Sequence, residues 1–251
     1  MSSELVINSS RDKSRIGLLK DKKLVEFHQE SDETKFNVGD IYVGKVKKIN
    51  KSLNAAFIDI GFEKDAFLHY LDLGPQFLSL KSFVKKARGK TKVDYDSFKK
   101  TDDINKFGKI NEVLEKGDEI LIQVVKEPIS TKGPRVTTEL SLAGRHLILV
   151  SFSETINVSK KITKQDERVR LINLIKSVRP KNFGVIVRTV AENKSVSELD
   201  KDLKSLTGIW KEGIKKIKKA NVGEKIIGED NKATSLLRDI LNSSFDNIVC
   251  L

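Results

Sequence analysis

Cysteine is almost absent: Cys250, one residue from the C-terminus, is the single thiol in 251 residues. One thiol closes no disulfide and builds no cysteine metal site, an economy that fits a reducing cytoplasm. Histidine is nearly as scarce, and His28, His69 and His146 are scattered without ligand spacing. No apolar run approaches the roughly 18 residues of a membrane span, and the N-terminus lacks a signal-peptide core. Carboxylates are outnumbered, 35 Asp plus Glu against 47 Lys plus Arg, for a formal charge of +12. That balance favours a polyanionic partner, and nucleic acid ahead of a membrane surface. Hydrophobic residues make up 38% of the chain, enough for a lean core in one large or two modest domains.

What is present is concentrated in one stretch, Tyr42 to Leu68. Ile41 and Val43 alternate up to Gly44, which reads as a bulge, and Val46 and Ile49 resume the pattern. In the next run Ala56, Ile58 and Ile60 share one side of a strand, while Ala55, Phe57 and Asp59 share the other. Phe67, between Ala66 and Leu68, is out of phase with the core in the same way. Lys45, Lys47, Lys48, Lys51 and Lys64 lie close by. Two readings stay open on these residues alone. Both rings belong to the core of a small barrel, or they form a platform on which unpaired bases stack while cations hold the backbone.

The remainder of the chain divides by pattern. Residues 1–36 read as a small antiparallel sheet, with a short strand over Leu5–Ile7 and a polar turn at Lys20-Asp21-Lys22. Such a sheet needs partners from later in the chain. Residues 40 to about 141 have the strand spacing of a barrel, interrupted at about 74–112. There Phe77, Leu78, Leu80, Phe83 and Val84 predict one amphipathic helix. The lysine-rich ARGKTKVDYDSFKKTDD that follows reads as mobile: a solvated loop, or a positive flap that helps capture RNA. From Ala143 strands alternate with helices. Asp166–Val178 is helical, with Val169, Leu171, Ile172, Leu174, Ile175 and Val178 inward, and Pro180 ends it. Ser195 and Glu198 match a capping box that opens a helix running to about Lys219, in which Trp210 is a packing anchor. Thr234–Leu241 reads as a helix and Asp246–Cys250 as a strand, so the chain is expected to stop inside a domain.

The runs AAFIDIGFEKDAFLHYLDL, KGPRVTTELSLAG and GVIVRT, in this order behind LVINSS and a hairpin, resemble the ribonuclease E/G family. The resemblance covers essentially the whole chain. It implies an α+β protein in which an OB-fold RNA-binding barrel (residues 37–141) is inserted into a ribonuclease-H-like subdomain. Residues 1–36 and 225–251 would belong to that subdomain, and 142–224 to a sensor region for the RNA 5′ end. By matched position Phe57 and Phe67 are expected to stack on bases, with Lys132 as a basic RNA contact. Gly144, Ile148, Arg188 and Thr189 are expected at a 5′-monophosphate, where Arg offers a planar fork, a hydroxyl adds a hydrogen bond and Gly permits close approach. Lys160 and Lys161 stand where the family often has arginine, keeping charge but losing the bidentate geometry. The implied function is RNA processing and decay by a cytoplasmic, single-strand-specific endoribonuclease that prefers 5′-monophosphorylated RNA, with homo-oligomers known in the family. The implied cofactor is Mg2+, held by carboxylates beyond these residues, so none is expected to bind here and this portion is expected to be inactive alone. Asp59 and Asp65 make no convincing metal cluster. A non-catalytic single-stranded RNA-binding protein, ribosome-associated or from a split gene, is the alternative.

Overall fold

A computed structural model of the chain describes residues 2–9, 13–31, 36–89, 93–228, 238 and 246–251. Strands β1 (Ser3–Ser9), β2 (Lys13–Lys20) and β3 (Lys23–Ser31) come first. Next are β4 (Ile41–Asn50), β5 (Ala55–Asp59), β6 (Ala66–His69), helices α1 (Phe77–Arg88) and α2 (Ile110–Val113), and strands β7 (Glu119–Lys126) and β8 (Arg135–Thr137). The last part holds β9 (Ser141–Ala143), β10 (Leu147–Ser151), β11 (Ile156–Val158), α3 (Gln165–Val178), β12 (Phe183–Val187), α4 (Val196–Lys216), β13 (Lys225–Ile227) and β14 (Asn247–Cys250). The expected helix at Thr234–Leu241 lies outside the described residues, apart from Arg238.

The chain forms two compact units, residues 1–37 with 229–251, and residues 38–228. In the first, the sheet order is β14-β1-β2-β3, with β14 parallel to β1 and β1–β2–β3 antiparallel. Asp21 and Lys22 both take positive φ, 49° and 61°, the twist that a two-residue hairpin turn demands. Leu5 and Ile16 are buried, whereas Leu24, Val25 and Phe27 are exposed.

The second unit is built on a closed five-stranded barrel. Its order is β4-β5-β6-β8-β7, returning to β4, and the β6–β8 pair is parallel: the OB-type arrangement. Gly44 is not the bulge. It pairs in register with Ile120, and a Cβ there would fall 2.5 Å from Ile58, so the residue is small because the barrel interior is full. The register shift lies between Val46 and Lys48. Because Gly44 points inward, Ile41 and Val43 point out of the barrel. They are nevertheless fully buried, in a second core shared with α1, α4 and the sheet β11-β12-β10-β9.

That second core corrects the expectation of a mobile insertion. Tyr95 and Phe98 are buried and make edge-to-face contacts with Phe83 and Phe152, and Tyr95 also meets Phe183 and Trp210. The Tyr95 hydroxyl donates to Asn182 O at 2.8 Å and accepts from Phe152 N–H at 2.8 Å. Burial pushes the phenol pKa well up. Arg88, at the end of α1, donates to Ile217 O and Ala220 O at 3.1 and 2.8 Å, where a cation complements the carbonyls left open beyond α4.

The helices largely follow their sequence signals. Ser195 Oγ accepts from Glu198 N–H at 3.3 Å and the Glu198 carboxylate accepts from Ser195 N–H at 2.9 Å, the reciprocal capping box. Leu199, Leu203, Leu206 and Trp210 are buried. In α3 the seam runs through Leu171, Leu174 and Ile175, and Val169 is exposed rather than inward. Lys225–Ile227, expected beside residues 1–36, pair instead with β4 at Tyr42 and Ile41. Lys225 Nζ reaches the fully buried Asp40 at 2.9 Å, and Asp40 also accepts from the Tyr42 hydroxyl at 3.0 Å.

Candidate nucleic-acid interface

Barrel alternation places Phe57 and Phe67 on the outer surface. They sit directly opposite each other across β5 and β6, half-buried, with ring centroids 5.9 Å apart at an interplanar angle of 70°. Both line a groove of about 910 Å³, together with Lys64, Ile129, Lys132 and Arg135. Lys132 is exposed. Lys64 Nζ donates to Ser130 O at 2.8 Å, and the Arg135 fork donates to both Asp72 oxygens at 3.0 Å. Lys47 pairs with Asp65 at 2.9 Å, which raises the lysine pKa. Lys126 adds a fourth cation to the groove, while Glu63, Asp65 and Glu127 also line it. Two ring faces and a small excess of positive charge thus form a surface for planar aromatic groups joined by anionic links. Sequence reasoning missed Arg135 and Ile129. Both come from the β7–β8 region, and only barrel closure brings that region beside β5 and β6.

The second constellation lies at one end of the β11-β12-β10-β9 sheet. Val187 is in register with Leu147 on one side and Val158 on the other. The residues just beyond those positions therefore converge: Gly144–His146 before β10, Ser159–Lys161 after β11, and Arg188–Thr189 after β12. Arg188 N–H donates to His146 O at 2.9 Å, and its guanidinium donates to Gly144 O at 2.7 Å. Thr189 Oγ1 and Ser159 Oγ are 2.9 Å apart, and Lys161 N–H donates to Ser159 Oγ at 3.3 Å. Lys160 and Lys161 are exposed, and Ile148 is half-buried opposite Ile186.

Two helical side chains hold this end in shape. Arg168 of α3 donates to the carbonyls of Ser159 and Ile162 at 2.8 and 3.0 Å. Asp202 of α4 accepts from the N–H groups of Arg145, His146 and Leu147 at 3.2, 2.8 and 2.9 Å. A Cβ at position 144 would fall 2.6 Å from an Asp202 oxygen, so glycine is required for this approach. Gly144 N–H is spent on Leu147 O at 2.8 Å. With its carbonyl taken by Arg188, the glycine backbone serves the hairpin and the guanidinium. His146 is buried with Nδ1 4.0 Å from Asp202, and burial lowers its pKa.

Among the described residues no group of three or more His, Cys, Asp or Glu side chains is placed to hold a metal ion, and no helix is long and apolar enough to cross a membrane.

A model of the ribonuclease E/G family matches residues 141–250. Ribonuclease G of Haemophilus influenzae is 33% identical over 245 residues, which is 98% of this chain and 46% of that protein. The chain belongs to the ribonuclease E/G family. Ribonuclease G of Escherichia coli K12 is 30% identical over 248 residues, 99% of this chain and 47% of its own length. Ribonuclease E of Synechocystis matches at 32% over 213 residues, 84% of this chain and 28% of that protein. The chain thus spans about half the length of these ribonuclease G relatives. The segment matched by the ribonuclease E/G model holds Gly144, Ile148, Lys160, Lys161, Arg188 and Thr189. The matches to ribonuclease G extend over the barrel that carries Phe57, Phe67 and Lys132.

Proposed function

We propose that this chain is the RNA-binding and 5′-end-sensing portion of a single-strand-specific endoribonuclease acting in RNA processing and decay. The observation that carries the reading is the Phe57–Phe67 pair, turned out of an OB-type barrel into a groove with Lys64, Lys132 and Arg135. Bases stack on the rings in any sequence because every base has a π-face, and the cations take the phosphates. The Arg188–Thr189 end of the neighbouring sheet binds the 5′-terminal monophosphate. Arg188 supplies the fork, Thr189 a hydroxyl, and Lys160 and Lys161 the remaining charge. Gly144 acts by letting Asp202 and Arg188 close on the hairpin from two sides. Ile148 lies one residue from Leu147, whose N–H Asp202 holds.

The magnesium implied by the family resemblance finds no three-carboxylate or histidine cluster among the described residues, so no cleavage step is assigned to them.

The test is a binding titration with two labelled single-stranded RNAs that differ only in a 5′-monophosphate or a 5′-hydroxyl. The expected result is tighter binding of the monophosphate form, with affinity falling steeply as salt rises. Equal binding of the two rejects the sensor, and salt-insensitive or absent binding rejects the RNA interface.

A further inference from the structure

Ser159 directly follows β11, and both of its backbone polar groups are engaged. Its N–H donates to Val187 O at 2.9 Å. Its carbonyl accepts from Arg168 at 2.8 Å and from Ile162 N–H at 3.1 Å, so Ser159 opens a turn whose two central residues are Lys160 and Lys161. The residue is thereby fixed between β12 and α3. Its side chain is engaged as well. Ser159 Oγ accepts from Lys161 N–H at 3.3 Å and lies 2.9 Å from Thr189 Oγ1.

The direction of that hydroxyl pair matters. A hydroxyl has one proton and two lone pairs. In this pair either oxygen is placed to donate. A terminal phosphate monoester carries roughly −1.5 to −2 charge at neutral pH and presents acceptor oxygens. If Thr189 spends its proton on Ser159, it turns lone pairs to such a group and repels it. If Ser159 donates to Thr189, the Thr189 proton is left for the phosphate. Lys161 N–H decides between the two. A backbone N–H can only donate, and it already occupies a lone pair of Ser159 Oγ. Ser159 keeps its proton to give, and Thr189 Oγ1 is the acceptor beside it. Each donor in such a row polarises the next.

We propose that Ser159 is a positioning residue for the 5′-phosphate site. It fixes the Thr189 hydroxyl as a donor through a one-way row that runs from Lys161 N–H through Ser159 and Thr189 to a phosphate oxygen. The proposal rests on the sensor reading of the Arg188–Thr189 end. A 5′-hydroxyl both donates and accepts, so it meets Thr189 in either orientation. The row therefore favours the monophosphate beyond what the charges of Arg188, Lys160 and Lys161 contribute, and Ser159 acts without touching RNA.

The experiment uses the full chain and two single-stranded RNAs of one sequence, ending in a 5′-monophosphate or a 5′-hydroxyl. The readout is the ratio of the two affinities, in the wild type, Ser159→Ala, Ser159→Thr, Thr189→Val and the Ser159→Ala/Thr189→Val double variant. Ser159→Ala should lower the ratio about fivefold, the scale of one hydrogen bond, with hydroxyl-RNA binding unchanged. Ser159→Thr keeps the hydroxyl and should keep the ratio. In the Thr189→Val background Ser159→Ala should have no further effect, because the two act as a unit. An equal Ser159→Ala loss in both backgrounds, or a Ser159→Thr loss as large as that of Ser159→Ala, would mean that the shape of the turn sets the ratio, and would overturn the row. If either Ser159→Ala or Thr189→Val leaves the ratio at its wild-type value, the row is wrong and the sensor stands on Arg188. If the wild type binds both RNAs equally, the sensor reading itself fails and the row falls with it.

Discussion

Phe57 and Phe67 are direct cross-strand partners whose rings meet edge to face, centroids 5.9 Å apart, on the outside of the barrel. Each ring braces the other, so the pair acts as one surface. Phe57→Ala and Phe67→Ala are each expected to cost about 1–3 kcal/mol in single-stranded RNA binding, the usual worth of base–aromatic stacking. Because the rings touch, the double variant should lose less than the sum of the two. Titration of all four proteins at one salt concentration checks both statements, and wild-type affinity in the double variant would remove the platform.

Arg188 reaches Gly144 O with one arm of its guanidinium while its own N–H holds His146 O. Arg188→Ala should equalise affinity for 5′-monophosphate and 5′-hydroxyl RNA. Arg188→Lys keeps the charge without the fork and should give an intermediate ratio. The ratio of the two affinities is the readout, because a general loss of folding lowers both alike.

Gly144→Ala addresses the same end of the sheet from the stability side. Its Cβ would meet the Asp202 carboxylate at 2.6 Å, and Asp202 cannot move without releasing three backbone N–H groups. A loss of about 1–3 kcal/mol is expected, in the range of other overpacked sites. Denaturant unfolding measures it; a wild-type midpoint would show that the hairpin yields freely.

Tyr95 ties the lysine-rich insertion to the second core. Tyr95→Phe removes a buried hydroxyl that donates to Asn182 O and accepts from Phe152 N–H, and should cost about 1–3 kcal/mol. Tyr95→Ala also empties a packed aromatic site and should cost about 3–5 kcal/mol. Both are read as melting shifts. A loosely attached loop would produce neither.

Glu167 sets an acid limit. Its carboxylate accepts the Arg170 fork at 2.6 and 2.8 Å and Asn193 N–H at 2.8 Å, and the arginine holds its pKa down from an ordinary 4.5 to about 2. A depressed carboxylate stabilises the fold fully above its unfolded pKa. That contribution fades as pH falls from about 4.5 towards about 2. Glu167→Gln should be less stable than the wild type at neutral pH, and the gap should narrow across that window. A gap that stays constant from neutral pH to pH about 2 would remove the ion pair from the acid limb.

Legibility in the sequence followed the range of each interaction. The Ser195–Glu198 cap was readable because all its atoms lie within four consecutive residues. That Phe57 and Phe67 are out of phase with their apolar neighbours was readable because strand alternation is local. Arg188, Thr189, Lys160 and Lys161 were singled out by resemblance, and their convergence depends on the register of β10, β11 and β12. Tyr95 was misread as part of a mobile segment. A run rich in lysine and aspartate looks solvated, and the two aromatics that anchor it find partners far along the chain, in Phe152, Phe183 and Trp210. Val169 was misassigned because several apolar positions in α3 fit a helical stripe, and only packing chooses the seam.

The sequence by itself determined that Phe57 and Phe67 are out of phase with Ala56, Ile58, Ala66 and Leu68, and left both a core and a platform reading of the rings open. It could not determine what covers the outer side of a strand. Ile41 and Val43 also point out of the barrel, yet they are fully buried in a second core, whereas the two phenylalanines open onto a groove. Alternation is a property of a few consecutive residues. Cover comes from segments such as α1 and β13, and their positions follow from closure of the whole unit. Tertiary structure alone therefore decided which outward faces became core and which opened onto a groove.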